Sequence, residues 1–158
     1  MVKKTWQEKL MNSKDLPKIV KITPEMAGKW KAKIGDTLVI PSPVEVDEIM
    51  KKVPEGKLIT INEIRVAIAK KHGATICCPL TTGIFARIAA EASEERKAEG
   101  RKDITPYWRT LKANGEINPK YPGGIEVQKK ILEKEGHKVI KKGKKYVVAD
   151  FEKHLINF

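Results

Sequence analysis

Few residues in this sequence combine types and spacing that chemistry could use, and the densest group is ITPYWRTL at 104–111. Pro106 precedes Tyr107 and Trp108, and Arg109 follows at once. Two aromatics between a rigid proline and a cation suit the stacking of a flat ligand, though they fit an ordinary strand leaving a turn equally well. Further along, Tyr121 is followed by Gly123 and Gly124, which permit close backbone approach or simply start a helix. Cys77 and Cys78 are adjacent, so a disulfide between them would be strained. They lie just before a helix start, where the dipole favours a thiolate, yet Ile76, Pro79 and Leu80 around them point to burial. His72, His137 and His154 are scattered without metal-ligand spacing, so neither a metal nor a cofactor is expected.

The composition narrows the partner. Among 158 residues there are 32 Lys and Arg against 20 Asp and Glu, a formal net charge of +12. A balance this basic serves a polyanion, or else solubility alone in a heat-adapted protein. No apolar run approaches a membrane span, and the N-terminus MVKKTWQEKL lacks an apolar signal region. A cytoplasmic protein without a membrane partner is therefore expected.

Stepping outward from these residues, the elements that must hold them are legible from caps and periodicity. Residues 1–42 read as an N-terminal scaffold. It contains a short helix near 4–13, a strand-like KIVKI at 18–22, a helix start at Thr23-Pro24, and a turn at Gly35-Asp36 into TLVIP at 37–41. Ser42-Pro43 opens a helix with Val46, Ile49 and Met50 on one face. Thr60 with Glu63 forms a capping box ahead of INEIRVAIAKKHG, which Gly73 ends. Thr81 or Thr82 is expected to cap the next helix, with Ile84, Phe85, Ile88, Ala89 and Ala92 inward and Gly100 at its end. Two such helices suggest a helix-turn-helix or a plain helical pair. Asn114-Gly115 marks a turn, and a helix with Ile125, Val127, Ile131 and Leu132 inward runs to Gly136. KVIKKGKKYVV at 138–148 reads as a hairpin bearing Lys138, Lys141, Lys142, Lys144 and Lys145 with no acid. Such a hairpin is either a solvated surface or a wing that meets phosphates.

In order, PEGKLITINEIRVAIAKKHG, TTGIFARIAAEA, PYWR, NGEINPKYPGG and KKILEKEG resemble the C-terminal domain of the alkylated-guanine DNA alkyltransferases over roughly residues 43–137. The most specific matches are Pro106, Arg109, Tyr121, Gly123, Gly124, Leu132, Glu135 and Gly136, with one residue more in the loop. The resemblance implies an α+β, mainly helical fold. It would comprise an N-terminal extension (1–42), a winged helix-turn-helix domain of alkyltransferase type (43–137), and a C-terminal basic β-hairpin with a short helix packed on that domain (138–158).

The departures from the family concern its reaction. In that family a cysteine takes an alkyl group from a flipped guanine, assisted by a neighbouring histidine and by the glutamate that matches Glu135. Tyr107 stands at the cysteine position and Trp108 at the histidine position. A phenol is a poor alkyl acceptor near neutrality, and an indole cannot act as a base. The sequence thus resembles the cysteine-less alkyltransferase-like proteins, which bind alkylated DNA without reacting. Ile61 replaces the family's phosphate-rotating tyrosine, and Gly83 falls where its arginine finger stands, with Arg87 one turn later. Glu91, Glu94 and Glu95 would repel phosphate unless turned away from DNA.

Three functions follow as expectations. The first is a non-enzymatic DNA-binding protein for alkylated guanine. Its pocket would be formed by Tyr107, Trp108, Arg109, Tyr121, Gly123, Gly124 and Glu135. Its DNA contacts would come from Thr60, Thr81, Thr82, Gly83, Arg87, Lys141, Lys142, Lys144 and Lys145. The second is a methyltransferase-type enzyme using Cys77 or Cys78. The third is a winged-helix regulator or RNA-associated protein without lesion recognition. The resemblance implies DNA as partner through the minor groove, nucleotide-excision repair proteins downstream, and a monomer.

Overall fold

Three helices with readable start signals carry the frame of the computed structural model, which describes residues 5–13, 15–30 and 36–156. The first elements are a helix α1 (Trp6–Met11), a strand β1 (Lys18–Lys21), a helix α2 (Pro24–Trp30) and a strand β2 (Thr37–Ile40). Lys4, at the start of the expected first helix, and Gly35, in the expected turn, lie outside the described residues. α3 (Pro43–Lys51) starts with a reciprocal cap. The Ser42 N–H donates to Glu45 Oε2 at 2.9 Å and the Glu45 N–H donates to Ser42 Oγ at 3.3 Å. α4 (Ile61–His72) follows a two-residue strand β3 (Ile59–Thr60) and ends at Gly73 with φ +66°. The Thr60 N–H and hydroxyl both donate to Glu63 Oε1, at 2.9 and 2.7 Å.

The start of the long helix differs from the sequence expectation. α5 (Pro79–Ala98) begins at Pro79, directly after Cys78, and not after Thr81 or Thr82. Proline's fixed φ is suited to the first helical position, and Thr82 instead donates its hydroxyl back to the Cys78 carbonyl at 2.6 Å. The buried face then follows Thr82, Ala86, Ala89, Ala90 and Ser93, while Ile84 turns outward. Small residues along this face let α1 and α3 pack closely on α5.

Sheet pairings draw distant segments together. β1 pairs antiparallel with β2, and β2 pairs parallel with β4 (Ile76–Cys77), a strand that sequence periodicity did not reveal. Residues of the N-terminal segment thus share a sheet with the connector between α4 and α5. β3 pairs parallel with β5 (Thr110–Leu111), Ile59 opposite Thr110, and the 3₁₀ turn Tyr107–Arg109 ahead of β5 packs against α3 and α5. α6 (Gly124–Lys134) follows Gly123 at φ +80°, where a Cβ would press against Val127. Val127 therefore lies outward over Gly123, contrary to expectation. Gln128 takes the buried place, its amide donating to the Asn118 carbonyl at 2.6 Å. β6 (Val139–Lys142) and β7 (Lys145–Val148) pair antiparallel around Gly143. A 3₁₀ turn, Phe151–His154, then leads to a bridge between Leu155 and Leu58.

Candidate nucleic-acid interface

The structure brings Tyr107, Trp108 and Tyr121 into contact, and their rings fill the space between them. Tyr107 is only 1% exposed and Tyr121 2%. The Tyr107 ring meets Trp108 and Tyr121 edge-to-face, with centroids 5.3 and 5.7 Å apart. Its hydroxyl donates to Glu94 Oε1 at 2.7 Å. Burial, followed by that hydrogen bond and the negative charge of Glu94, pushes the phenol far above its ordinary value. Tyr107 thus presents a neutral, enclosed hydroxyl that offers neither charge nor access. Burial raises Tyr121 likewise. Tyr107→Phe leaves the Glu94 carboxylate without this donor. We expect a loss of about 1–2 kcal/mol, or about 2–8 °C in calorimetric melting temperature. An unchanged melting temperature would show that the hydroxyl does not hold α5 to this segment.

Glu135 joins the other two residues of the turn. Trp108 Nε1 donates to Oε2 at 2.9 Å, and Arg109 donates from Nε at 3.0 Å and from Nη2 at 2.8 Å. The other guanidinium nitrogen, Nη1, donates to the Val53 carbonyl at 2.8 Å. Burial raises the Glu135 carboxyl, but the Arg109 and Trp108 hydrogen bonds outweigh it and hold the group below the usual carboxylate value. With its oxygens so engaged, Glu135 is a brace for the turn. Gly123 and Gly124, at φ +80° and +66°, shape the start of α6.

The candidate DNA contacts divide into two groups. Thr60 and Thr82 are buried and spend their hydroxyls on Glu63 and Cys78, so they are turned away from any groove. The Thr81 hydroxyl is also enclosed, without a hydrogen-bond partner. Gly83 and Arg87 lie on the outer side of α5, and Lys141, Lys142, Lys144 and Lys145 are exposed on the hairpin. Lys145 reaches Glu116 at 3.8 Å. Two of the three acids of α5, Glu94 and Glu95, are engaged within the protein. Glu94 holds Tyr107, and Glu95 accepts the N–H groups of Trp6 and Gln7 at 3.0 and 2.9 Å, capping α1. Cys77 and Cys78 are both buried. Burial pushes the Cys77 thiol up, and its Sγ lies 3.3 Å from the Thr82 hydroxyl. A thiol so placed is not a poised nucleophile.

A feature that sequence reasoning missed lies over the N-terminal half of α5. A cavity of about 530 Å³ is bordered there by Trp6, Leu80, Gly83 and Ile84, with Lys9, Arg87, Lys112 and Lys120 among its lining and no acid. Trp6 stands between cations, with Lys9 Nζ 4.2 Å and the Arg87 guanidinium 5.7 Å from its ring centroid. Lys112 also approaches Glu116 at 3.7 Å. The local signal was the pair Trp6 and Lys9 at i, i+3, but nothing local connects that pair to a helix some eighty residues later. Among the described residues no group of three or more His, Cys, Asp or Glu could hold a metal ion. No described helix is long and apolar enough to cross a membrane.

No family model and no curated protein matches the sequence. The fold, however, has solved counterparts. S. pombe Atl1 in complex with damaged DNA containing O6-carboxymethylguanine matches with a TM-score of 0.50 at 19% identity, over 73% of this chain and 94% of that one. A second S. pombe ATL structure, in complex with DNA, gives a TM-score of 0.53 with the same identity and coverage. The chain shares the fold of these alkyltransferase-like proteins, in agreement with the resemblance carried by its motifs.

Proposed function

We propose that this chain is a non-enzymatic DNA-binding protein of the alkyltransferase-like kind, engaging alkylated or otherwise damaged duplex through the outer face of α5. The observation that carries the non-enzymatic part is Tyr107, which stands at the nucleophile position, enclosed and hydrogen-bonded to Glu94. Its neighbour Trp108 supplies no base, and Glu135 is held by Arg109. DNA binding is supported by the cations that line the cavity over α5, by the exposed lysines of the β6–β7 hairpin acting as a wing, and by the DNA-bound proteins that share the fold.

A second reading is favoured by the filled space between Tyr107 and Tyr121. With Gly83 in place of a finger arginine, the chain would bind duplex without distinguishing the lesion. Duplexes that differ only by one O6-alkylguanine separate the two readings. Tighter binding to the alkylated duplex by fluorescence anisotropy, with no methyl adduct by intact mass, is the expected result. Equal affinities would remove lesion recognition and leave the second reading. A 14 Da adduct mapping to Cys77 or Cys78 would overturn the non-enzymatic one.

A further inference from the structure

The cavity over α5 combines two properties that phosphate binding alone does not explain. Its volume of about 530 Å³ falls within the range of about 300–1,000 Å³ found for sites that enclose a small organic group. Its lining is cationic, through Lys9, Arg87, Lys112 and Lys120, but Trp6 and the exposed Leu80 and Ile84 also make it apolar. Lys112 approaches Glu116 at 3.7 Å, whereas Lys9, Arg87 and Lys120 form no ion pair with any described residue. Their charge is left for a partner.

The aromatic member comes from outside the segment that carries the family resemblance, since Trp6 belongs to α1, ahead of residue 43. Side chains far along the chain fix α1 on α5. Glu95 accepts the N–H groups of Trp6 and Gln7, Gln7 Nε2 donates to Glu99 Oε2 at 3.1 Å, and Arg101 Nη1 donates to Gln7 Oε1 at 3.0 Å. Leu10, one turn after Trp6, is buried. Trp6 itself is half-buried, with Lys9 and Arg87 over its ring on flexible stems. The ring is thus held at the cavity while its cations are free to move.

We infer that this cavity receives an unpaired nucleotide of a DNA strand, its base stacked on Trp6 and its flanking phosphates held by Lys9, Arg87, Lys112 and Lys120. This rests on the DNA-binding reading and names the strand feature that the site takes. The nucleotide is one already unpaired, at a bulge, gap or strand end. Bases inside a duplex have both faces covered by their neighbours, so a paired strand has no π-face to offer Trp6. An unpaired nucleotide has one, with an anionic group on either side. Contact with phosphates alone would leave Trp6, Leu80 and Ile84 without a partner. As the base arrives, Lys9 and Arg87 exchange their contacts with the ring for ion pairs with phosphate. A strand matches the site better than a free monophosphate, whose charge of about −2 would leave part of the cationic lining unmatched. The site is separate from the Tyr107 segment, where the rings already fill the space.

The test uses the full chain and fluorescein-labelled DNA duplexes that differ at one central position. One is fully paired, one carries an extra unpaired adenosine, and one carries an abasic sugar in place of that adenosine. Anisotropy should show the unpaired adenosine bound most tightly, with quenching of tryptophan emission, and the abasic duplex bound like the paired one. Trp6→Leu should lower affinity for the unpaired adenosine by about five- to a hundredfold. It should leave the paired duplex, and the slope of its affinity against salt, unchanged. Trp6→Tyr keeps an aromatic face and should retain most of the preference. The wild-type comparison of adenosine with abasic sugar decides the matter even if Trp6→Leu melts early. Equal affinity for those two duplexes, or a folded Trp6→Leu that binds all three like wild type, would overturn the inference while DNA binding stands. So would displacement of the labelled duplex by dATP at comparable concentration, which would make the ligand a free nucleotide. No binding to any of the duplexes at any salt concentration would overturn both.

Discussion

Arg109→Ala is expected to lower stability by about 3–5 kcal/mol, because it leaves Glu135 enclosed without its cation and the Val53 carbonyl without its donor. For a chain of this length that corresponds to a fall of about 6–20 °C in melting temperature by differential scanning calorimetry. The large effect follows from enclosure, since the side chains of Arg109 and Glu135 are 14% and 6% exposed. An exposed pair would contribute about 1 kcal/mol or less. Arg109→Lys keeps the charge but not the planar fork, so it recovers part of the loss. The pH dependence carries the same signature. The folded Glu135 carboxyl lies below its unfolded value, so its contribution is complete above that value and is lost as pH falls through the folded one. Wild type should therefore lose stability below about pH 4 more steeply than Glu135→Gln. His137 adds an earlier window. Burial comes first in lowering its pKa, then repulsion from His154, with Arg109 acting in the same sense and Glu135 opposing. Stability from the neutral ring is present above about pH 6.5 and declines as pH falls through the folded value. An Arg109→Ala variant that melts with wild type would show that the brace contributes nothing.

Replacing Lys9, Arg87, Lys112 and Lys120 together by glutamine should be the largest change in nucleic-acid binding. If all four meet phosphates, the slope of log affinity against log salt falls by about 3–4, and affinity near physiological salt falls about a hundredfold or more. Lys112 contributes least if it stays on Glu116. The effect should be uniform across sequences, because phosphate contacts position the protein without reading bases. Thermal stability should change little, as these side chains make no buried ion pair among the described residues. Replacing Lys141, Lys142, Lys144 and Lys145 by glutamine provides the comparison for the hairpin. A slope that responds to the hairpin variant alone would move the interface from the α5 cavity to β6–β7.

Several elements were legible because their causes are local. Ser42-Pro43, Thr60 with Glu63, and Gly73 specify helix ends within one turn, and each lies where the sequence puts it. The phase of α5 was legible in part: Ala89 and Ala92 are buried and Phe85 and Ile88 pack on the core as the sequence suggests, but Ile84 is left outside. The exact face is chosen by what packs on it, and the small Ala86 and Ala90, nearly silent in a hydrophobic pattern, admit α1 and α3. β4 escaped notice for a related reason. Two residues have no periodicity, and Ile76–Cys77 is a strand only because Leu38 and Val39 lie alongside.

The sequence alone puts a phenol and an indole, Tyr107 and Trp108, in the segment 104–111, where neither a thiol nor an imidazole is present. It also determined the charge that a polyanion would meet. That Tyr107 closes on Tyr121 and Glu94 instead of walling an open pocket is set by long-range packing. Tertiary structure alone decided that Thr60 and Thr82 face inward, and that Trp6 and Lys9 join α5 around a basic cavity. Residue type sets what a group can do, but exposure and hydrogen-bond partners set what it does. Those partners come from segments tens of residues apart, brought together by packing that no local window contains.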